Sequence, residues 1–404
     1  MWLKVEPKEP LILGEIRADA QFLTGNLYLP GRVLRGAWAE WLARSGMDDG
    51  QILDMVGQVR IGNFFPSVEW RPIRAVFPLP MSAATCKREG GFASEPLPER
   101  RGHGVVDTLL PHLAYHLLER QGARFAVPFT LVCPKCSDRM EAFGGFYTVY
   151  RDGNTDRHVS FRPRFHGQTK VALSRYRRAS AEGLLYTASA LSPKAGRPDA
   201  KDADSPLVFV GRVYRGEAKA LASLKEALGK VALGALHTRG YGRVEVKEAS
   251  VDLPPLKERL ESFNQTLKAL WQDIRRLAVN AKDLPDEPEG VYFSLDLLAP
   301  AVFQRQGVPT LVPTLVIEGQ CLEPLFWMTR PDMASGWSTA WGLPKPTHLA
   351  ARMGSVYVFC WRGQADALVS ALEAVEAQGI GERTDESFGE CLVCHPFHKE
   401  VEKA

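Results

Sequence analysis

No apolar run in the 404-residue chain approaches the roughly 18 residues that a bilayer-spanning helix requires. The start, Met1-Trp-Leu-Lys-Val-Glu-Pro-Lys-Glu-Pro10, also lacks the charged-then-apolar order of a secretory signal. A cytoplasmic protein without membrane contact is therefore expected. Cysteine is scarce and odd in number, seven in all, which argues against a disulfide framework and makes any clustered cysteines better read as metal ligands. Common enzyme signatures are missing too: no Walker lysine follows a phosphate loop, and there is no Rossmann glycine fingerprint, no nucleophile elbow and no His-Glu-x-x-His. A catalytic role is thus not the first expectation.

The composition is that of a soluble globular protein, 45% hydrophobic and 24% charged, with mean hydropathy −0.16. The length suggests two or three domains. The net charge of +3 conceals a strong asymmetry. Residues 281–404 hold 9 Lys+Arg against 17 Asp+Glu, a net of −8, so residues 1–280 carry +11. A polyanion partner suits the first part and not the second.

The densest basic stretch runs from Arg157 to Arg178 without an acidic residue, and contains Arg162, Arg164, Lys170, Arg175, Arg177 and Arg178. His158, Phe161, Phe165, His166 and Tyr176 are interleaved. Cations neutralise phosphate while π-faces stack unpaired bases at about 1–3 kcal/mol each, so this stretch fits a single-stranded nucleic acid; the plainer alternative is a solvated basic loop.

Apolar spacing predicts a strand over Leu11–Arg17, a helix over Pro30–Ala43, strands near Gln58–Phe65 and Ile73–Pro78, and a helix over Val105–Glu119. Helix Ala218–Val231 leads through Leu236-His-Thr-Arg-Gly-Tyr-Gly-Arg-Val-Glu-Val246 into a strand. The same order returns near the C-terminus, where strand Met353–Trp361 and helix Ala365–Ala377 precede a loop from Gly379 to Val393. Gly240-Tyr-Gly-Arg-Val and Ser387-Phe-Gly-Glu-Cys both place an aromatic–Gly pair at the entrance to a strand. A duplicated βαββαβ arrangement is the simplest one that ends this way twice.

Between the halves, Leu256, Leu260, Phe263, Leu267, Leu270, Ile274 and Leu277 alternate four and three apart. Such a seam packs on a neighbouring domain or partner chain, or serves as an ordinary core helix. Asp283-Leu-Pro-Asp-Glu-Pro-Glu-Gly290 reads as a linker, and Pro193–Pro206 as a flexible loop. The resulting division is residues 1–254, 255–290 and 291–404.

Cys133-Pro-Lys-Cys136 has the spacing at which one tight turn aims two thiolates at a single Zn²⁺. Cys86 and His103, both in Gly-rich surroundings, complete a structural Cys₃His zinc site, with His112 as the substitute for His103. Cys391-Leu-Val-Cys394-His395 matches the spacing of c-type haem attachment, but a strand points residues three apart to opposite faces, so buried structural cysteines are expected instead. Glu382, Asp385 and Glu386 suit a metal or, more plainly, a solvated acidic turn. His237, beside Arg239 and Tyr241, suits acid–base chemistry on RNA or a phosphate-facing polar loop.

Several segments together resemble the RAMP superfamily of CRISPR-associated proteins. Leu29-Pro-Gly-Arg-Val-Leu-Arg-Gly-Ala37 is similar to the family's Pro-Gly-x-x-Leu-Arg-Gly helix start, and Thr238–Arg243 to its glycine-rich loop before the last strand. Within the superfamily the likeness is to the subunit of type III-D effector complexes that binds the five-prime tag. It is carried by Cys86-Lys-Arg, His103-Gly-Val-Val-Asp-Thr-Leu, the CxxC, Ser174-Arg-Tyr-Arg-Arg, Glu182-Gly-Leu-Leu-Tyr186, Gly342-Leu-Pro-Lys-Pro346, Gly354-Ser-Val-Tyr357, Gly381-Glu-Arg and Phe388-Gly389. The second loop departs from the basic glycine-rich pattern with Thr384-Asp-Glu-Ser387.

The resemblance implies an α+β chain of two ferredoxin-like (RRM-like, βαββαβ) domains with a zinc-binding insertion in the first, gripping the tag of a CRISPR RNA. It implies a large polymerase/cyclase-like subunit and backbone RAMP subunits as neighbours. Arg239, Tyr241 and Arg243 on the glycine-rich loop, and Arg32 and Arg35 at a helix N-terminus with unpaired N–H groups, would hold phosphates. The basic run would project as a hairpin separating tag from guide. The alternative within the superfamily is a metal-independent endoribonuclease that cuts precursor CRISPR RNA with His237 or His166 as acid or base.

Overall fold

In the computed structural model, which describes residues 1–14, 25–338 and 342–400, the chain is a mixed α/β protein with many small antiparallel sheets. The first main sheet has the spatial order Arg60–Val68, Asp204–Arg215, Trp2–Pro7, Val244–Ala249, antiparallel throughout. Trp2–Pro7 forms a strand because its polar and apolar residues alternate, burying Leu3 and Val5. Of the strand expected at Leu11–Arg17, the described residues Leu11–Gly14 form no ladder. Leu11 and Gly14 make single bridges to Leu191 and Gly25, and Glu15, Ile16 and Arg17 lie outside the described residues. Leu11, Ile12 and Leu13 are apolar because this loop is buried, not because it pairs along a ladder. Helices Gly31–Arg44 and Ala218–Leu228 pack together over the sheet through Leu34, Trp38, Leu42, Leu224 and Leu228.

The second main sheet runs Phe326–Met328, Val356–Trp361, Val291–Leu297, Cys391–Val393, again antiparallel. Numbered by chain order within each half, both sheets read 2-3-1-4. The halves differ in what joins their first two strands. The first half uses helix Gly31–Arg44, whereas the second uses two hairpins, Phe303–Arg305 with Val308–Thr310 and Leu315–Ile317 with Gln320–Leu322.

The helix Leu256–Arg275 packs on strand Val291–Leu297 and on helix Leu109–Arg120. Leu260, Phe263, Leu267, Trp271 and Ile274 share one core with Leu110, Leu113 and Leu117, so the seam is filled from within this chain. It stops at Ile274; Leu277 is 70% exposed. The expected helix Val105–Glu119 is two elements, strand Val105–Asp107 and helix Leu109–Arg120. Pro193–Pro206 contains strand Lys194–Gly196, paired to Asp204–Pro206, and is not an open loop. Among the described residues, no helix is long and apolar enough to cross a membrane.

Buried polar groups join the two halves. Glu390 accepts from the Asn63 backbone N–H at 2.6 Å, from Asn63 Nδ2 at 2.7 Å and from the Tyr214 hydroxyl at 2.8 Å. Burial pushes its carboxyl above the usual range, and those donors together with the charge of Arg60 hold it back. Arg259 pairs with Glu376 at 2.8 Å and donates to the Val393 carbonyl. At the C-terminal helical turn, His398 stands between two carboxylates, with Nε2 2.8 Å from Asp296 and Nδ1 3.2 Å from Asp107. Burial alone would lower its pKa, but Asp296 and Asp107 outweigh burial and raise it to about 10.

Replacing His398 by Ala strands two buried carboxylates, and a loss of about 3–5 kcal/mol is expected in urea unfolding at pH 7. Because the folded pKa of about 10 exceeds the ordinary 6.5, the His398 contribution is complete below about pH 6.5 and disappears as pH rises through about 10. The unfolding midpoint of the unmodified protein should fall over that rise and that of H398A should not; parallel profiles would contradict the assignment.

Candidate nucleic-acid interface and metal centre

The glycine-rich loop before the last strand of each half has the same backbone. Leu236 and Arg383 enter it in the left-handed region (φ 61° and 58°), and Gly240 and Ser387 leave it there (81° and 67°). Ala235 N–H donates to the Ile12 carbonyl as Glu382 N–H does to Val302, and Gly242 N–H donates to Pro10 as Gly389 N–H does to Pro300. Gly242 and Gly389 (φ 97° and 63°) lie so close to the carbonyls of Leu233 and Ile380 that a Cβ would overlap them. One motif therefore serves twice, with different side chains.

In the first copy the side chains of His237, Thr238 and Arg239 are exposed, and open space lies beside Gly240. Tyr241 is buried rather than offering a ring face. Its hydroxyl donates to Gln168, and the Lys170 ammonium sits 5.1 Å from its ring centroid. Gln168 and Lys170 belong to the strand Phe165–Ser174, which pairs with Ala179–Leu191 as a hairpin. Tyr241 thus ties the glycine-rich loop to the hairpin base. Arg243 is exposed and lies 3.8 Å from Glu9.

The hairpin turn is Arg175-Tyr-Arg-Arg178. Ser174 closes it, its carbonyl accepting the Arg178 N–H at 2.9 Å and its hydroxyl the Arg177 N–H at 3.2 Å. Arg162, Arg175, Arg177 and Arg178 are exposed and make no ion pair among the described residues; Arg164 pairs with Asp204 at 2.8 Å. Tyr176 is 97% exposed at the tip, and His166 is exposed on the strand. The other aromatics of the run turn inward: Phe161 and His158 are buried, His158 stacking on Phe92, and Phe165 is half-buried beside Gly25. Arg157 sits on a different strand, Thr155–Phe161, facing Asp152 at 3.6 Å. Backbone alternation decides which aromatics emerge, a detail composition does not carry.

Arg32 and Arg35 are not beside this group of cations. They face the second loop: Arg35 pairs with Asp385 at 3.0 Å, and Arg32 and Arg383 lie 5.2 and 4.7 Å from the Phe388 centroid. The N-terminus of helix Gly31–Arg44 is not open as expected, because Gly31 N–H donates to Asn63 Oδ1 and Ser387 closes over it, donating its hydroxyl to the Ile61 carbonyl. The second loop's acids are engaged as well. Glu386 pairs with Arg383 and Lys345, both at 3.0 Å, and Glu382 accepts from Gln304. The residues that sequence reasoning missed are those of the buried seam, Arg60, Asn63, Arg259, Glu376 and Glu390. Each has a partner 117–327 positions away, so no local spacing signals them.

Cys86, His103, Cys133 and Cys136 converge, with their ligand atoms all within 4.8 Å of one another. Cys86 Sγ is 3.5 Å from Cys136 Sγ, and Cys133 Sγ is 3.4 Å from His103 Nδ1. Zinc–sulfur bonds of ~2.3 Å at tetrahedral angles place sulfurs ~3.8 Å apart, so the spacing of the set suits a tetrahedral ion. The turn is shaped for it: Ser137 has φ 59°, and its N–H donates to the Cys133 carbonyl at 2.7 Å. Burial pushes the Cys133 thiol up, but the N–H groups of Lys135 and Cys136 and the two neighbouring thiols pull it below its ordinary value; Cys136 rises to about 11. This Cys₃His cluster can hold a metal, and Glu89, 3.2 Å from His103 Nε2, orients the imidazole. Cys391 and Cys394 are buried and belong to no such grouping among the described residues.

No protein-family model matches the chain, and no curated protein matches it in sequence. Among solved structures, one chain of the cryo-EM structure of the Type III-B Cmr-beta bound to cognate target RNA and AMPPnP aligns with 89% of this chain and 86% of its own, at 11% identity and TM-score 0.42. One chain of the Csm3-Csm4 subcomplex in the type III-A CRISPR-Cas interference complex aligns with 90% of this chain and 100% of its own, at 10% identity and TM-score 0.35. One chain of the Csm1-Csm4 cassette in complex with pppApA aligns with 90% and 99%, at 13% identity and TM-score 0.28.

Metal analysis of the pure protein should return about one equivalent, falling below about half in C133S and unchanged in C391S. Chelation should lower the melting temperature of the unmodified protein, as expected where metal binding contributes to folding. Loss of metal in both variants, or in neither, would contradict the assignment.

Proposed function

We propose that this chain is a non-catalytic RNA-binding subunit of a type III-D CRISPR effector ribonucleoprotein that caps the five-prime tag of the CRISPR RNA. In this reading residues 1–254 and 291–404 are two ferredoxin-like domains joined by 255–290, with a structural zinc at Cys86, His103, Cys133 and Cys136. The matching 2-3-1-4 strand orders and the duplicated loops support that division. Its neighbours are the large polymerase/cyclase-like subunit and the backbone RAMP subunits, and it works in the cytoplasm.

The observation that carries the reading is the joined pair of exposed basic elements. The hairpin tip offers Arg175, Arg177 and Arg178 around an exposed Tyr176, and Tyr241 fixes its base to the open loop bearing Arg239 and Arg243. A single strand would run between them, with Arg162, Arg164, His166 and Lys170 along one side. Exposed arginines neutralise phosphate, and one aromatic at the tip stacks on or between bases. Arg32 and Arg35 are already engaged with the second loop, and they contribute only if that contact opens.

Replacing Arg175, Arg177 and Arg178 together by Ala should weaken single-stranded RNA binding more than about tenfold. It should also make the salt slope shallower by about 2, the share of three phosphate contacts on a single strand. Y176A should cost about 1–3 kcal/mol with the slope unchanged. An unchanged affinity and slope in the triple variant would defeat the proposal. Specific RNA cleavage that disappears in H237A or H166A would instead make the chain a metal-independent endoribonuclease.

A further inference from the structure

A cavity of about 260 Å³ opens where the two halves meet, lined by Arg35, Arg60, Arg215, Gln378, Thr384 and Asp385, together with apolar residues of the segment before strand Arg60–Val68. Its charge is unbalanced: three guanidinium groups face one carboxylate, and that carboxylate, Asp385, is already spent on Arg35 at 3.0 Å. Arg215 is exposed and has no ion-pair partner among the described residues.

Arg60 is the less ordinary of the three. It is 6% exposed, lies 4.6 Å from the Tyr214 ring centroid, and donates from Nη1 to the last carbonyls of helix Ala365–Gln378, at 3.0 Å to Glu376 and 2.8 Å to Ala377. Its Nε and Nη2 are buried without any acceptor. The other buried arginine of this seam, Arg259, has its own carboxylate in Glu376. No carboxylate lies at hydrogen-bond distance from this buried guanidinium, although its charge and that of the buried Glu390 interact; with Arg215, which has no ion-pair partner among the described residues, it leaves the cavity wall net positive.

We propose that this cavity binds a phosphate ester, either a free mononucleotide or the terminal phosphate of an RNA. The volume accommodates a phosphate with an attached sugar. Arg215 and Arg35 would make the direct contacts in the planar, paired geometry that guanidinium offers to phosphate oxygens. Thr384 would add a hydroxyl. Arg60 acts through its fixed charge, because solvent does not reach its free N–H groups in this arrangement. Asp385, with its side chain 64% exposed, is the group the phosphate displaces: it leaves Arg35 for water at little cost, as exposed pairs do. Binding would also loosen the contact of the second glycine-rich loop with helix Gly31–Arg44, of which the Arg35–Asp385 pair is part. The proposal does not depend on the hairpin reading, since none of the lining residues belongs to the hairpin.

The test is equilibrium binding of three probes to the intact protein at low salt: AMP, a short oligoribonucleotide with a five-prime phosphate, and the same oligonucleotide with a five-prime hydroxyl. Saturable AMP binding points to a free nucleotide, whereas a preference for the phosphorylated over the hydroxyl oligonucleotide points to an RNA end. In either case R215A should weaken the phosphate-dependent binding about tenfold, the loss of one charge-assisted contact. D385N, which removes the competitor, should strengthen it several-fold. The hairpin triple variant should leave AMP binding and the phosphate preference unaltered, so failure here is distinguishable from failure of the hairpin reading. Both variants fold if their far-ultraviolet circular dichroism matches the parent. Absence of phosphate-dependent binding, or binding unmoved in both R215A and D385N, would overturn the proposal.

Discussion

The buried polar seam between the two halves is the constraint from which the rest of the architecture follows. Glu390 cannot remain in a dry interface without donors, and it finds them on Asn63 and Tyr214 of the first half. Arg259 and Glu376 satisfy one another across the same region, and Arg60 reaches the end of the helix that carries Glu376. These contacts fix the second half against the N-terminus of helix Gly31–Arg44. The second glycine-rich loop is thereby closed. Ser387 and Asp385 occupy the position at which a phosphate would otherwise meet that helix.

The duplicated motif thus has two fates. In the second half its side chains turn toward protein, with Glu386 held by Arg383 and Lys345. In the first half the same backbone leaves His237, Thr238 and Arg239 facing solvent next to a hairpin whose tip exposes Arg175, Arg177 and Arg178. The charge difference along the sequence, −8 after residue 280 and +11 before it, is the compositional trace of that division. A loop that docks on its own chain uses acids to meet Arg35 and Lys345.

Much of the scaffold is legible because it depends on local periodicity. Val33, Leu34, Trp38 and Leu42 announce a helix, and the spacing of Cys133 and Cys136 announces a knuckle; Cys86 and His103 could be added because few alternatives exist. The seam helix was legible as a stripe but its partner was not, since the 3.6-residue pattern does not say what it faces. Trp2–Pro7 was missed although it alternates, because the apolar Leu11–Leu13 is the louder signal; that segment is buried as a loop against Leu191 and Ala235. The interface residues Arg60, Asn63, Glu376, Glu390 and His398 carry no sequence signature at all. Each looks like an ordinary surface residue until a partner from the other half of the chain is brought to it.

The central claim is that RNA lies along the hairpin and the first loop while the second loop stays closed. Hydrogen–deuterium exchange of the intact protein with and without single-stranded RNA bearing a five-prime hydroxyl, which cannot fill the phosphate cavity, measures it directly. The account predicts slower exchange at 165–191 and 236–243 on binding, with 383–389 unchanged; protection of 383–389 alone, with the hairpin exchanging freely, would contradict it.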